Sequence, residues 1–151
     1  MRLCQALVLP SVLILGSATT AVFLTAAGVP TKVNYIPHEK VAATMAKGGS
    51  IVNDEGLIVL AQRRGAGEVE FHEKTNHVFI IVEGEGEFVT GGTMMDAKQT
   101  SPEQRRGSSI QGGQTYHLTK GDVITVPAKT PHWWKDVPTK TIAYYAVNLE
   151  P

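Results

Sequence analysis

Residues Gly67 to Gly84 read G-E-V-E-F-H-E-K-T-N-H-V-F-I-I-V-E-G, and the order of side chains within them decides what the rest of the chain can build. Alternation in the first half puts Glu68, Glu70 and His72 on one face of an extended strand, with Val69, Phe71 and Glu73 on the other. Glu70 and His72, both able to bind a metal, therefore share a face. Lys74-Thr75-Asn76 reads as a turn, and His77-Val78-Phe79-Ile80-Ile81-Val82 as a β-branched return strand running to Gly84. A hairpin of this kind sets His77 alongside His72. Farther on, Gly121-Asp122-Val123-Ile124-Thr125-Val126-Pro127-Ala128-Lys129-Thr130-Pro131-His132 has the form of a strand, a proline-braced bend and a second strand opening on His132. A third imidazole thereby approaches the same space.

The flanking chain fits an all-β domain. Residues 28–56 form a lead-in with Pro30 and Pro37 and one short helix over His38 to Lys47, where Val41 and Met45 are four apart and Gly48-Gly49 supplies the stop. His38 is expected to be an exposed helix-start residue. Leu57 to Arg63 reads as the first barrel strand, with Arg63 and Arg64 as its solvated end rather than the other reading, an anion site, because nothing else basic lies near them in sequence. Glu85-Gly86 turns the chain into a strand over Glu87 to Thr90, ended by Gly91-Gly92. Residues 93 to 113 are polar and lack alternation, so they read as a long loop, either a lid or a plain insertion. Tyr116 to Leu118 resumes as a strand with His117 on a solvent or neighbour-facing side, and Thr141 to Asn148 closes the sheet with Tyr144 and Tyr145 on opposite faces. Some eight short strands with no βαβ alternation call for a sandwich or barrel.

These residues resemble the cupins, small β-barrels marked by the motifs G-x5-H-x-H-x3,4-E-x6-G and G-x5-P-x-G-x2-H-x3-N. The second is matched by Gly121, Pro127 and His132, with Lys129 where glycine is usual and Asp136 where asparagine is usual. The first fits in frame with two exchanges: Glu70 at the first histidine, His72 at the second, and His77 at the glutamate seven residues before Gly84. The resemblance implies a jelly-roll barrel over residues 57–148 and a ligand set of three histidines and one carboxylate, with one histidine and the carboxylate having traded places.

Glu70, His72, His77 and His132 are accordingly the expected ligands of one divalent metal ion, Fe, Mn, Ni or Zn. Imidazole nitrogen and carboxylate oxygen suit such ions, and one or two positions would stay open for water or substrate. Glu70 has two further readings, a hydrogen-bond partner of a coordinated histidine or a catalytic base. Phe79 and Ile81, on the His77 side of their strand, and Trp134, two residues past His132, are the expected pocket walls, with core packing the other reading of Trp134. Val69, Phe71, Val78 and Ile80 on the outer face would cover a second sheet or a homodimer mate.

Composition narrows the function. The chain has 151 residues, 14 basic and 14 acidic, room for one domain. Arg2 is the only charged residue among the first 27, which leaves a slight acidic excess and no electrostatic case for nucleic acid or an anionic membrane. Met1-Arg2 followed by an uncharged, Leu/Val/Ala-rich run to about Ala27 has the layout of a signal peptide, with cleavage at Thr25-Ala26-Ala27 or at Thr19-Thr20-Ala21; the alternative is an uncleaved anchor. Cys4, the sole cysteine, lies inside that run, so the mature chain would have no thiol and no stable membrane association, which suits a periplasmic or secreted protein. The expected partner is a small molecule. What the resemblance implies is metal-dependent chemistry on a small oxygenated, carbonyl or carboxylate compound, dioxygenase-like or isomerase-like. The alternative is a non-catalytic barrel that binds a sugar or carboxylate.

Overall fold

The computed structural model describes residues 30–151; the expected signal sequence, 1–27, lies outside the described residues. The first described element is the helix α1 (His38–Lys47), which begins after Pro37 in extended backbone and ends at Gly48 with φ of 73°. It packs on β1 (Gly49–Asp54) and β2 (Leu57–Arg64), and His38 is exposed as expected. Then come β3 (Val69–His72), β4 (Asn76–Glu83), β5 (Glu85–Thr90), β6 (Thr93–Met95), β7 (Lys98–Ser101), β8 (Gln104–Gly107), β9 (Ser109–Gln111), β10 (Gln114–Thr119), β11 (Val123–Val126), β12 (His132–Asp136) and β13 (Ile142–Leu149). Among the described residues no helix is long and apolar enough to cross a membrane.

Two antiparallel sheets make the barrel. One runs β1-β2-β13-β4-β11, the other β10-β5-β12-β3-β8-β7, and a small β6-β9 pair stands apart. The inner faces meet through aromatic rings: Phe79 of β4 packs on Phe88 of β5 at 5.6 Å, and Trp134 of β12 on Tyr144 of β13 at 5.5 Å. Period-two alternation supplies the filling. Ile81, Phe88, Leu118, Val126, Trp134 and Ile142 are all buried in one apolar cluster at one end of the interior. Polar side chains occupy the inner positions next along the same strands: His77 two residues before Phe79, and His132 two before Trp134.

Three expectations need correction. The His72–His77 hairpin does not form, because β3 lies in the six-stranded sheet and β4 in the five-stranded one; the chain crosses the barrel between them. The two imidazoles face each other across the interior, ring centroids 4.9 Å apart. Residues 93–113 are not a loop but four short strands, β6 to β9. Their polar sequence fits strands that extend a sheet edge, with β8 pairing β3 in register Glu70↔Arg106 and His72↔Gln104. Among the described residues thirteen strands replace the eight expected, β1 being the other addition. On the outer face Val69 is fully buried opposite Gly107, over which Met94 of β6 lies, while Ile80 stays 36% exposed.

Gly84 is where the chain leaves one sheet for the other. Its φ is +80°, and a Cβ there would lie 2.6 Å from the Thr141 carbonyl oxygen. Left-handed backbone and a blocked Cβ together require glycine. Gly84→Ala is expected to lower stability by about 1–3 kcal/mol in urea titration; a shift within about 0.5 kcal/mol, the range of an ordinary surface change, contradicts this packing.

His117 on β10 faces the neighbouring strand, as expected, with Nδ1 2.8 Å from Glu87 Oε1 and Nε2 3.2 Å from Glu85 Oε2. The hydrogen bond to Glu87, aided by Glu85, raises its pKa above the ordinary 6.5. A raised folded-state pKa stabilises below the unfolded value and loses that contribution as pH rises through the folded one. Thermal melts of native protein and His117→Gln should therefore differ most near pH 5.5–6, and the gap should close toward pH 9 and in high salt. A gap independent of pH would contradict the pairing.

Candidate metal centre

Each imidazole is placed by its strand. His72 ends β3, His77 opens β4 one residue in, and His132 begins β12 directly opposite Glu70 on β3. The bend that delivers His132 is held by Lys129, whose backbone N–H donates to the His72 carbonyl at 2.8 Å while its φ is +64°. That left-handed angle is the physical reason glycine is usual at this motif position. The bend and the end of β3 are thus tied together, which fixes two imidazoles relative to each other.

The candidate ligand nitrogens of His72, His77 and His132 all lie within 4.8 Å of one another. Nitrogens sharing one ion at about 2.1 Å each reach at most about 4.2 Å apart, so small ring rotations bring the set into range. His77 and His132 are buried, and their Nε2 atoms find no hydrogen-bond partner in the protein; neither ring nitrogen of His72 finds one. Two of the rings are oriented from behind. His132 Nδ1 lies 3.0 Å from the Thr130 carbonyl, which can only accept, so the proton is on Nδ1 and the lone pair on Nε2. His77 Nδ1 donates to Asn148 Oδ1 at 2.8 Å with the same result. Burial, with the His132 ring beside it, pushes His77 down to about 4, so the ring is neutral at ordinary pH. Oriented and unpartnered, these nitrogens present lone pairs as a metal ion requires.

Glu70 stands at the edge of the same space. Its Oε2 is 3.6 Å from His72 Nε2 and 3.8 Å from His132 Nε2, while Oε1 accepts from Arg64 Nη2 at 2.9 Å and from Arg106 Nη1 at 2.5 Å. Burial by itself would raise this carboxyl, but the Arg64 and Arg106 guanidiniums on Oε1 act against it and hold Glu70 below the usual carboxylate range. It is ionised at every working pH.

A cavity of about 250 Å³ opens over Glu70, His72 and His77, while His132 lines a crevice of about 10 Å³ that shares Arg64, Glu70, Phe79 and Tyr144 with it. Phe79 lines the larger cavity. Ile81 and Trp134 do not: Ile81 lies in the apolar cluster, and Trp134 borders the small crevice beneath Arg64 and Tyr144. The walls are more polar than the sequence reading had them, with Gln62 and Arg64 of β2, Gln104 and Arg106 of β8 and Asn148 of β13. Arg63 and Arg64, read together as a solvated strand end, part company. Arg63 makes a surface pair with Glu83, and Arg64 turns inward to Glu70. The signal that locates Arg64 is the alternation Leu60-Gln62-Arg64, continued inward along β2. For Asn148 it is Tyr144-Ala146-Asn148 on β13.

The comparisons bear on fold and family. The chain is similar at 15% identity to BH2720 from Bacillus halodurans, with a TM-score of 0.56 over 80% of this chain and 84% of that one. It is similar at 14% identity to hydroquinone 1,2-dioxygenase PnpCD in complex with Cd2+ and 4-hydroxybenzonitrile, with a TM-score of 0.53 over 90% and 91%. Fe(II) HppE matches at 16% identity and a TM-score of 0.50 over 67% of this chain, which spans about half of HppE's length, 49%. At these identities the likeness is one of fold. A search of the curated proteins finds no match. The model of the family described as Cupin matches residues 39–150, so the three-histidine cluster lies within a barrel whose membership is plain: the chain belongs to the cupins.

Proposed function

We propose that this cupin is a metal-dependent enzyme that transforms a small oxygenated compound, a carbonyl or carboxylate, beside His72, His77 and His132. The observation that carries the reading is the set of three imidazoles with buried, unpartnered nitrogens turned on one space. Each such atom left without a partner costs about 1–3 kcal/mol, a cost that a bound cation removes.

The donor set fits Fe(II), Mn(II), Ni(II) or Zn(II). When bound, such an ion polarises a chelating oxygen and, where it is redox-active, activates dioxygen. The residues supply the rest. Asn148 and the Thr130 carbonyl hold the His77 and His132 rings in the tautomer that presents Nε2. Glu70 Oε2 accepts a hydrogen bond from a substrate hydroxyl. With two arginines on its other oxygen it orients the substrate better than it removes a proton, since a carboxylate held so firmly ionised is a weak base. Phe79 closes the apolar side of the cavity, and Gln62 and Gln104 offer donors and acceptors to a substrate's oxygens. That HppE carries Fe(II) and PnpCD was crystallised with Cd2+ supports metal use in this barrel. The reading extends to an exported protein, on the strength of the Met1–Ala27 run.

Protein purified without added metal should contain close to one equivalent of a first-row ion by elemental analysis. His72→Ala and His132→Ala should lose it, and with it turnover in a screen of small oxygenated compounds. Adding the metal back should raise the native melting point, by about 2.7 kcal/mol of stabilisation at a hundredfold excess over Kd, and leave both variants unmoved. Activity retained without metal refutes the reading. Ligand-dependent stabilisation with the ligand recovered unchanged would instead make this a binding barrel.

A further inference from the structure

The cavity beside the imidazoles is not electrically neutral. Arg64 enters from β2 in the five-stranded sheet and Arg106 from β8 in the six-stranded one, so the guanidiniums approach from opposite walls. Both donate to one oxygen of Glu70, which among the described residues is the sole carboxylate lining this cavity. Two guanidinium charges thus share one carboxylate charge, an excess of one positive charge among these three side chains. Each guanidinium has five N–H donors and spends one on Glu70. Their side chains are 34% and 32% exposed, within reach of a ligand in the cavity. At about 250 Å³ the space is smaller than the roughly 300–1,000 Å³ that takes a drug-sized ligand.

We infer that Arg64 and Arg106 form an anion subsite, so that the ligand is a small organic acid: its carboxylate lies between the guanidiniums and an oxygen on the adjacent carbon reaches the imidazole centre. The inference rests on the metal-site reading for that second contact only. Guanidinium pairs a carboxylate through two parallel hydrogen bonds, and the interaction is strongest where water is scarce. A sugar or neutral polyol would leave the excess charge uncompensated. Glu70 holds both arginines in place and competes with the ligand for them. Replacing its charge therefore has the opposite effect to replacing an arginine.

The test is calorimetric titration of the full chain with lactate and with lactamide, which differ in charge at nearly constant shape, using Zn(II)-loaded and metal-free protein. Lactate should bind about tenfold more tightly than lactamide in both forms, since the arginines act without the metal. Arg106→Gln should lose most of that preference while keeping its zinc by elemental analysis. Glu70→Gln, its fold checked by circular dichroism, should bind lactate several-fold more tightly in the metal-free form. Equal affinity for acid and amide, no binding of lactate, or an Arg106→Gln variant with the preference intact overturns the subsite. Zinc bound without a preference for acid refutes the subsite and leaves the metal reading standing. Preference for acid in a protein that takes no zinc does the reverse.

Discussion

Lone pairs directed into a common buried space govern this structure. His77 and His132 are each fixed from behind by a hydrogen bond that Nδ1 donates, to Asn148 Oδ1 and to the Thr130 carbonyl respectively, and that bond is what commits Nε2 to the interior. A fold selected only for stability would pair those nitrogens or replace them with apolar side chains, because an unmet buried acceptor is costly. Here three elements from both sheets converge to keep them unmet. The Lys129 N–H bond to the His72 carbonyl couples the third imidazole to the first through backbone alone, so the geometry does not depend on flexible side chains.

Around that centre the charges are layered. Glu70 lies between the imidazoles and the arginines, one oxygen toward each. A carboxylate buried without cations would protonate or unfold its surroundings, and Arg64 and Arg106 prevent both. Removing either arginine would leave the remaining network closer to neutral but less rigid, whereas removing Glu70 would set two cations against each other. The apolar cluster of Phe88, Trp134, Ile142 and their neighbours fills the opposite end of the barrel. It gives the polar end a stiff floor, and Phe79 is where the two regions meet.

Much of this is legible in the sequence. Period-two alternation was enough to place Glu70 with His72 and His77 with Phe79, and the proline-braced bend was enough to bring in His132, because a strand's side-chain direction is a local property. What joins the strands is not local. The turn at Lys74-Thr75-Asn76 looks like a hairpin, but the same residues can carry the chain across a barrel, and nothing in their chemistry separates the two outcomes. The same limit hid Arg106. Residues 93–113 have few apolar side chains, so alternation cannot be detected, yet an edge strand needs only backbone hydrogen bonds to join β3. Ile81 and Trp134 were placed on the correct faces, but depth along the barrel, which decides between core and cavity, comes from sheet register.

The most direct measurement is X-ray absorption at the metal edge of the full chain loaded with one equivalent of Zn(II), compared with His77→Ala. Three imidazoles at about 2.0–2.1 Å, with the multiple-scattering pattern of histidine rings and one ring fewer in the variant, is the predicted result. A shell made only of oxygen, or one that His77→Ala leaves unchanged, would contradict the account.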